Sequence, residues 1–559
     1  MSTSTPSLTR SSLTLAAGTM ASRLLGVVRQ SLIVLAIGQG LVGNAFQTAN
    51  NLPNVIYMLI AGGVLNSVLV PQIVKAMRLP DGGREYTDRI ITLSTAGMLV
   101  VTAACTAAAG WFVFLYAGNL APDDRALATF FAVLTMPQIF FYGLYAVLGQ
   151  VLNARSQFAA FAWAPAVANV FAIAGLLSFM ALYDGHTSPG EWTAPMVWLF
   201  AGSATLSIVA QALVLVVALW RTGFRWQPRF GIRGVGLRTT SKVAGWAFIA
   251  LLVSQLSYLV ASQVIWHASK QPSTDFVAGI SVYASAFFIF MVPHGFVTLS
   301  IITAIYPRLS RAAQDHDVDL LRTEYRRGLV FPTVLTIPAT FALVVFALPV
   351  VTLLFSSRDP RELPAMALVL AVMAPGIVPF GIDVLNQRFF YAHDDGRMVF
   401  FEQVVLTVVA SGVALLALTF RPEITVAVVS IGLVLSNVCS AAFGMWFVRR
   451  RVGRIGLGEV GFSWVRMIAA CLAASALAYF ATTPLRDGPT SRWSAFVELA
   501  VGAWCSPSST SGSRSSCGSR RSATCSRSFC GGCPADALGD GTRAVDGTVR
   551  VSQGKQALT

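Results

Sequence analysis

Two arginines interrupt an apolar stretch near the start of the chain. Arg23 and Arg29 lie in SSLTLAAGTMASRLLGVVRQSLIVLAIG, which reads as one helix of membrane-spanning length. At about 1.5 Å of rise per residue, both side chains start within roughly 6 Å of the helix centre, whereas the hydrocarbon half-thickness is about 15 Å. A charge at that depth is costly and marks a functional site that faces a cavity.

The chemistry that suits two buried guanidinium groups is the binding of a phosphate-containing anion. Arginine stays charged when desolvated, and its planar fork pairs with two phosphate oxygens at once. Arg23 and Arg29 are about 120° apart around a helix, so they can approach an anion from two sides of a groove. The alternative is that one arginine pairs with an acid such as Asp383 or Glu402 while the other reaches an interface.

Neutral polar side chains accompany the arginines. The segment NAFQTANNLPN follows the arginine-bearing helix and carries several amides. Amide and hydroxyl groups can hydrogen-bond the polar head of a large substrate. We therefore predict that four residues line the same cavity: Ser22, Asn44, Asn51 and Asn54.

A second polar interruption occurs in PFGIDVLNQRFFYAHDDGR. Its carboxylate, Asp383, is a candidate for coupling transport to a proton or a sodium ion, and a paired or interfacial role is the alternative. We expect no cofactor and no catalytic residue. We expect transport to be driven by the membrane potential or by a coupled monovalent ion. The pattern Gly38-Gln-Gly40-Leu-Val-Gly43 matches GxGxxG, but it follows a membrane helix rather than a strand and is interpreted as a loop.

Composition places the chain in a membrane. Of the 559 residues, 55% are hydrophobic and only 12% are charged, against about 25% charged in soluble domains. The formal charge of +15 does not indicate nucleic acid, because the basic residues cluster in alternate short loops, as the positive-inside rule predicts. The N-terminus and the even-numbered loops are therefore expected in the cytoplasm.

Hydropathy predicts thirteen spans and the start of a fourteenth near Arg492. They cover residues 12–38, 44–76, 87–117, 126–152, 158–183, 192–220, 240–267, 276–307, 328–356, 363–391, 398–420, 423–448 and 461–482. Pro53 in span two and Pro293 in span eight lie six spans apart, each in a span that ends in a basic loop. This repetition predicts two six-helix lobes around a central cavity, with one or two further helices at the C-terminus.

The predicted division of the chain follows from these spans. It comprises a cytoplasmic tail (1–11), an N-terminal lobe (12–221), a cytoplasmic linker (222–239), a C-terminal lobe (240–449), two final spans (461–504) and a tail (505–559). The tail is rich in Ser, Arg and Cys and is expected to be disordered. Its cysteines are too loosely spaced to predict a metal site. The abrupt change of composition near Trp504 suggests a reading-frame shift, which resequencing would test.

Several motifs resemble those of one family. SRLLGVVRQ, NAF…LPN, AGGVLNSVLVPQIVKA, TAIYPRLS and FYAHDDGR are similar to motifs of the MurJ (MviN) lipid II flippases, over roughly residues 10–480. These belong to the multidrug/oligosaccharidyl-lipid/polysaccharide exporter superfamily. The resemblance implies movement of the undecaprenyl-diphosphate-linked peptidoglycan precursor between leaflets of the bacterial cytoplasmic membrane. It also implies that Arg23 and Arg29 hold the diphosphate, that membrane lipids are partners, and that cell-wall synthesis or division proteins are candidates.

The chain departs from this pattern at four positions. Many Gram-negative relatives carry charged residues there, and this chain has Asn44, Met58, Gly62 and Phe288. Three other functions stay open: a cation-coupled exporter of drugs or other polyprenyl-linked oligosaccharides, a membrane glycosyl- or phosphotransferase, and a transport-inactive scaffold for cell-wall assembly. The exporter should carry buried acids, and the transferase should carry loop carboxylates near a metal.

Overall fold

The computed structural model of the protein describes residues 8–60, 84–118, 120–155, 157–183, 188–229, 242–486 and 492–505. Within these ranges the regular secondary structure is entirely helical. Several predicted features lie outside the described residues: most of the N-terminal tail, the second half of predicted span two with Gly62, most of the linker, and the tail after Cys505.

Eight α-helices lie in the described part of the N-lobe. They are α1 (Leu8–Ile37), α2 (Leu41–Ile60), α3 (Arg84–Ala107), α4 (Ala109–Ala117), α5 (Pro122–Thr135), α6 (Gln138–Ala154), α7 (Phe158–Leu182) and α8 (Ala194–Arg221).

Nine α-helices form the C-lobe, and two more follow it among the residues that the structure describes. The C-lobe contains α9 (Lys242–Ser269), α10 (Ile280–Pro293), α11 (Leu299–Gln314), α12 (Val318–Val345), α13 (Ala347–Leu354), α14 (Glu362–Met373), α15 (Ile377–Ala392), α16 (Gly396–Leu416) and α17 (Thr425–Val452). The last two helices are α18 (Leu457–Arg486) and α19 (Arg492–Cys505).

Twelve helical stretches among the described residues are long and apolar enough to cross a membrane. Helix α2, with 20 residues described, and α19, with 14 residues, stand at the places of spans two and fourteen. The predicted all-α polytopic membrane fold is therefore confirmed.

Five spans that the sequence predicts as continuous are each divided into two helices: α3/α4, α5/α6, α10/α11, α12/α13 and α14/α15. Proline accounts for three of the breaks, because it lacks the N–H that continues the hydrogen-bond ladder. Pro137 caps the start of α6, Pro375 lies in the 3₁₀ turn before α15, and Pro293 precedes a π-turn over His294–Thr298.

The two ends of the helical bundle differ in charge. We call the end that carries residues 221–229, 308–327 and 449–454 the basic end. The opposite end carries the turns at Gly38 and Gly118 and the loops over residues 270–279 and 355–361. Helices alternate in direction between these ends, so α1 begins at the basic end and finishes at Gly38.

Apolar packing differs between the two ends. At the opposite end, one core joins the lobes and includes Ile37 and Phe46 of the N-lobe with Ile280 and Met366 of the C-lobe. Toward the basic end, each lobe has a core of its own. The N-lobe core includes Ile91, Leu148 and Leu215, and the C-lobe core includes Leu309, Tyr325 and Phe389. Among the described residues, the lobes therefore share one apolar core at the opposite end and have separate cores toward the basic end.

Close helix packing within the N-lobe depends on Gly175. A Cβ there would overlap the Ser203 side chain of α8. Adding a methyl group to a packed contact costs about 1–3 kcal/mol. We therefore expect Gly175→Ala to lower the thermal midpoint of the purified protein by several degrees. Gly97→Ala is the matched control, because nothing lies within 4 Å of the added Cβ. Equal midpoints for the two variants would contradict this packing.

Candidate anion-binding site

Arg23 extends from α1 toward the C-lobe. Its guanidinium carbon lies 4.5 Å from the centre of the Phe296 ring, a cation–π distance. Phe296 lies in the π-turn that follows Pro293. The neighbouring Gly295 makes room for the arginine, since a Cβ there would overlap the guanidinium nitrogens. The local break in span eight thus forms the binding position of the Arg23 guanidinium.

Arg29 extends toward the N-lobe. Its guanidinium lies near the hydroxyl of Tyr142 on α6, and the Tyr142 ring lies 5.6 Å from that of Tyr57 on α2. The Arg29 Nε is buried and has no hydrogen-bond partner among the described residues. A buried donor without an acceptor is costly. We call the region where the cores of the two lobes separate the cleft. The Arg29 Nε is available to donate a hydrogen bond to an anion that enters it.

No carboxylate neutralises these arginines within the described ranges, where neither forms an ion pair. The alternative pairing with Asp383 or Glu402 is not found. Both acids are buried in the C-lobe, 2% and 0% exposed. The Asp383 carboxylate accepts hydrogen bonds from Gln387 Nε2 at 2.7 Å and Ser440 Oγ at 2.5 Å.

The segment between the arginines is apolar. Gly26 lies between them on α1, and a Cβ there would be 4.0 Å from the Phe288 ring of α10. Phe288 is one of the positions at which the chain departs from the charged residues of many Gram-negative relatives. The cleft wall opposite α1 therefore has no charge at that position, and the positive charge comes from α1 itself.

Three of the predicted neutral residues lie on α1 and α2, and one of them, Ser22, is next to Arg23. The Ser22 carbonyl accepts a hydrogen bond of 2.9 Å from Asn169 Nδ2. The Asn51 side chain lies close to the hydroxyl of Tyr258 on α9. Asn54 is half-buried one turn after Asn51. The Asn51 contact joins the two lobes, so this side chain has a packing role as well as a place near the cleft.

Asn44 has a different role from the one predicted. It is 3% exposed, and its Oδ1 accepts a hydrogen bond of 2.9 Å from the Ser281 amide. Helix α10 begins after Gly279, which has no side chain to cap it, so Asn44 satisfies one of its free N–H groups. The residue joins the lobes at the opposite end instead of lining the cleft.

The structure adds residues around Asp383 that sequence reasoning did not assign. Tyr325 Oη donates to Asn386 Oδ1 at 2.5 Å, and the Glu402 carboxylate lies against the Asn386 amide. Asp383 on α15 and Glu402 on α16 are both buried in the C-lobe. The position of Glu402 inside an apolar segment was the available signal. Buried carboxyl groups inside a membrane bundle are candidates for binding a proton or a monovalent cation.

Comparison with known proteins places the chain among lipid transporters. A family model described as lipid II flippase MurJ matches residues 33–488. A probable lipid II flippase MurJ of Synechocystis is 27% identical over 469 residues, covering 82% of this chain and 85% of the relative. The lipid II flippase MurJ of Burkholderia cenocepacia is 27% identical over 398 residues, covering 69% and 74%.

Solved structures agree on the fold. A lipid II flippase MurJ in an inward closed conformation superposes with a TM-score of 0.69 at 15% identity, covering 90% of this chain and 99% of that one. An inward-facing multidrug MATE transporter gives 0.64 at 17% identity, covering 79% and 98%. Because the family model covers most of its length, the chain belongs to the MurJ lipid II flippase family.

Proposed function

We propose that the protein moves lipid II, an undecaprenyl-diphosphate-linked peptidoglycan precursor, from the inner to the outer leaflet of the bacterial cytoplasmic membrane. It is a transporter rather than an enzyme, and a multi-pass membrane protein. The observation that carries the proposal is the pair Arg23 and Arg29, which place positive charge inside a membrane bundle without an acidic partner among the described residues. A diphosphate is the part of lipid II that needs this charge.

Orientation follows from the basic end. Lysine and arginine in short loops favour the cytoplasmic side, so we place the basic end and the N-terminus in the cytoplasm. The separate lobe cores then face the cytoplasm, and the shared core closes the outer side. In this arrangement, the arginines are accessible to a substrate from the inner leaflet and closed off from the outer side. Rocking of the lobes would expose the site to the other side by separating the shared core and bringing the lobes together at the basic end.

Two energy sources fit this orientation. An inside-negative membrane potential favours outward movement of an anion by about 2.3 kcal/mol per charge per 100 mV. The buried pair Asp383 and Glu402 supports coupling to a proton or a monovalent cation in the C-lobe. The same pair is the feature expected of a cation-coupled exporter with another substrate, which is therefore the second candidate function.

The role of Arg29 can be tested by binding. We expect Arg29→Ala to weaken the affinity of the purified protein for undecaprenyl diphosphate by at least about tenfold, because a charge-assisted hydrogen bond is lost. Arg29→Lys should retain part of the affinity, since it keeps the charge without the fork. Arg221→Ala, at the exposed end of α8, is the control and should bind as the wild type does. Unchanged affinity in Arg29→Ala would exclude this arginine from the site.

The role of Asp383 can be tested by transport. In liposomes, we expect an imposed proton or sodium gradient to speed flipping by the wild type and to have no effect on Asp383→Asn, which should still bind undecaprenyl diphosphate. Asp319→Asn, which alters an exposed carboxylate in the first turn of α12, is the control and should keep the gradient response. A full response in Asp383→Asn would remove this residue from coupling.

A further inference from the structure

The glycine pattern between α1 and α2 forms a tight turn at the opposite end of the bundle. Gly38 has a φ of +66°, in the left-handed region that favours glycine. Gly43 packs directly against the Gly38 carbonyl, where a Cβ would overlap the oxygen. The turn therefore has little freedom, and it presents the backbone N–H of Gln39 toward the C-lobe.

A carboxylate of the C-lobe occupies this turn. Glu362, the first residue of α14, accepts a hydrogen bond from the Gln39 amide through Oε1 at 2.8 Å. Its Oε2 accepts a hydrogen bond from Ser357 Oγ. Gln39 is 0% exposed and Glu362 is 5% exposed. A side chain at position 38 would place its Cβ 3.2 Å from Oε1, so glycine also lets the carboxylate approach.

This contact is placed to control separation of the lobes. It joins the end of α1, the helix that carries both arginines, to the start of span ten in the other lobe. It lies beside the shared core, to which both Ile37 and Met366 belong. Hydrogen bonds to a buried carboxylate are among the stronger ones in proteins. The lobes cannot separate at this end without breaking it.

We propose that Glu362 is the latch of the outer gate: its carboxylate, bound to the backbone of the Gly38–Gly43 turn, holds the outer side closed until transport requires it to open. The proposal rests on the proposed function for the direction of transport. Glu362 is a positioning residue, because it acts on the lobes and does not touch the substrate. The role of the glycine pattern is to receive a protein carboxylate, not a nucleotide phosphate.

The test measures access from outside the cell. Single cysteines replace Val282 or Ser285, both on α10 and 0% exposed, in a protein whose native cysteines are removed. Intact cells are treated with a membrane-impermeant maleimide. We expect Glu362→Ala to raise the labelling rate of both cysteines by about tenfold, the shift that loss of a charge-assisted hydrogen bond would produce. Glu362→Gln should give a smaller increase, because its amide oxygen can still accept from Gln39.

Glu423→Ala is the matched control. This carboxylate is also at the opposite end, but its partner Ser273 belongs to the same lobe, so labelling should stay at the wild-type rate. Unchanged labelling in inserted Glu362→Ala protein would overturn the latch. Faster labelling at position 282 alone would also overturn it, because that result reports local fraying instead of lobe separation.

The labelling assay requires no lipid substrate, so its outcome is separate from the proposed function. Faster labelling in Glu362→Ala, together with no flipping of lipid II by the wild type, would support the latch and reject the flippase. Normal flipping by the wild type, with unchanged labelling in Glu362→Ala, would reject only the latch.

Discussion

The positive charge of Arg23 and Arg29 inside the membrane is the constraint on which the rest of the structure depends. A guanidinium in hydrocarbon is stable only if it faces water, an aromatic surface or an anion. Arg23 has the Phe296 ring and the space above Gly295. Arg29 has the Tyr142 hydroxyl and a buried Nε without a protein acceptor among the described residues. These partners belong to different lobes, so the charge lies where the lobes meet.

The asymmetry between the two ends of the bundle determines from which side the arginines are accessible. A common apolar core and cross-lobe hydrogen bonds, such as those of Asn44 and Glu362, close one end. Toward the other end, each lobe packs on itself. Such a pair of rigid bodies can alternate only by exchanging contacts at one end for contacts at the other. The closed end therefore combines shared apolar burial with cross-lobe hydrogen bonds, and both must be broken before that end can open.

The sequence predicted the number and order of most spans, because hydrocarbon thickness imposes a length and a composition on each helix. It also identified the two arginines, since a charge in an apolar run is visible without a structure. The helix breaks at Ala108 and Phe346 and the roles of Asn44 and Glu362 were not predicted. Those features depend on which surfaces of the two lobes meet. A polar residue next to a span looks the same in sequence whether it lines a cleft or caps a distant helix.

The most direct test of the account is a leaflet-resolved assay of lipid II in cells depleted of this protein. We expect lipid II to accumulate in the inner leaflet after depletion and to reach the outer leaflet again when the wild-type chain is restored. Lipid II that reaches the outer leaflet at the normal rate in depleted cells, with no other flippase active, would contradict the account.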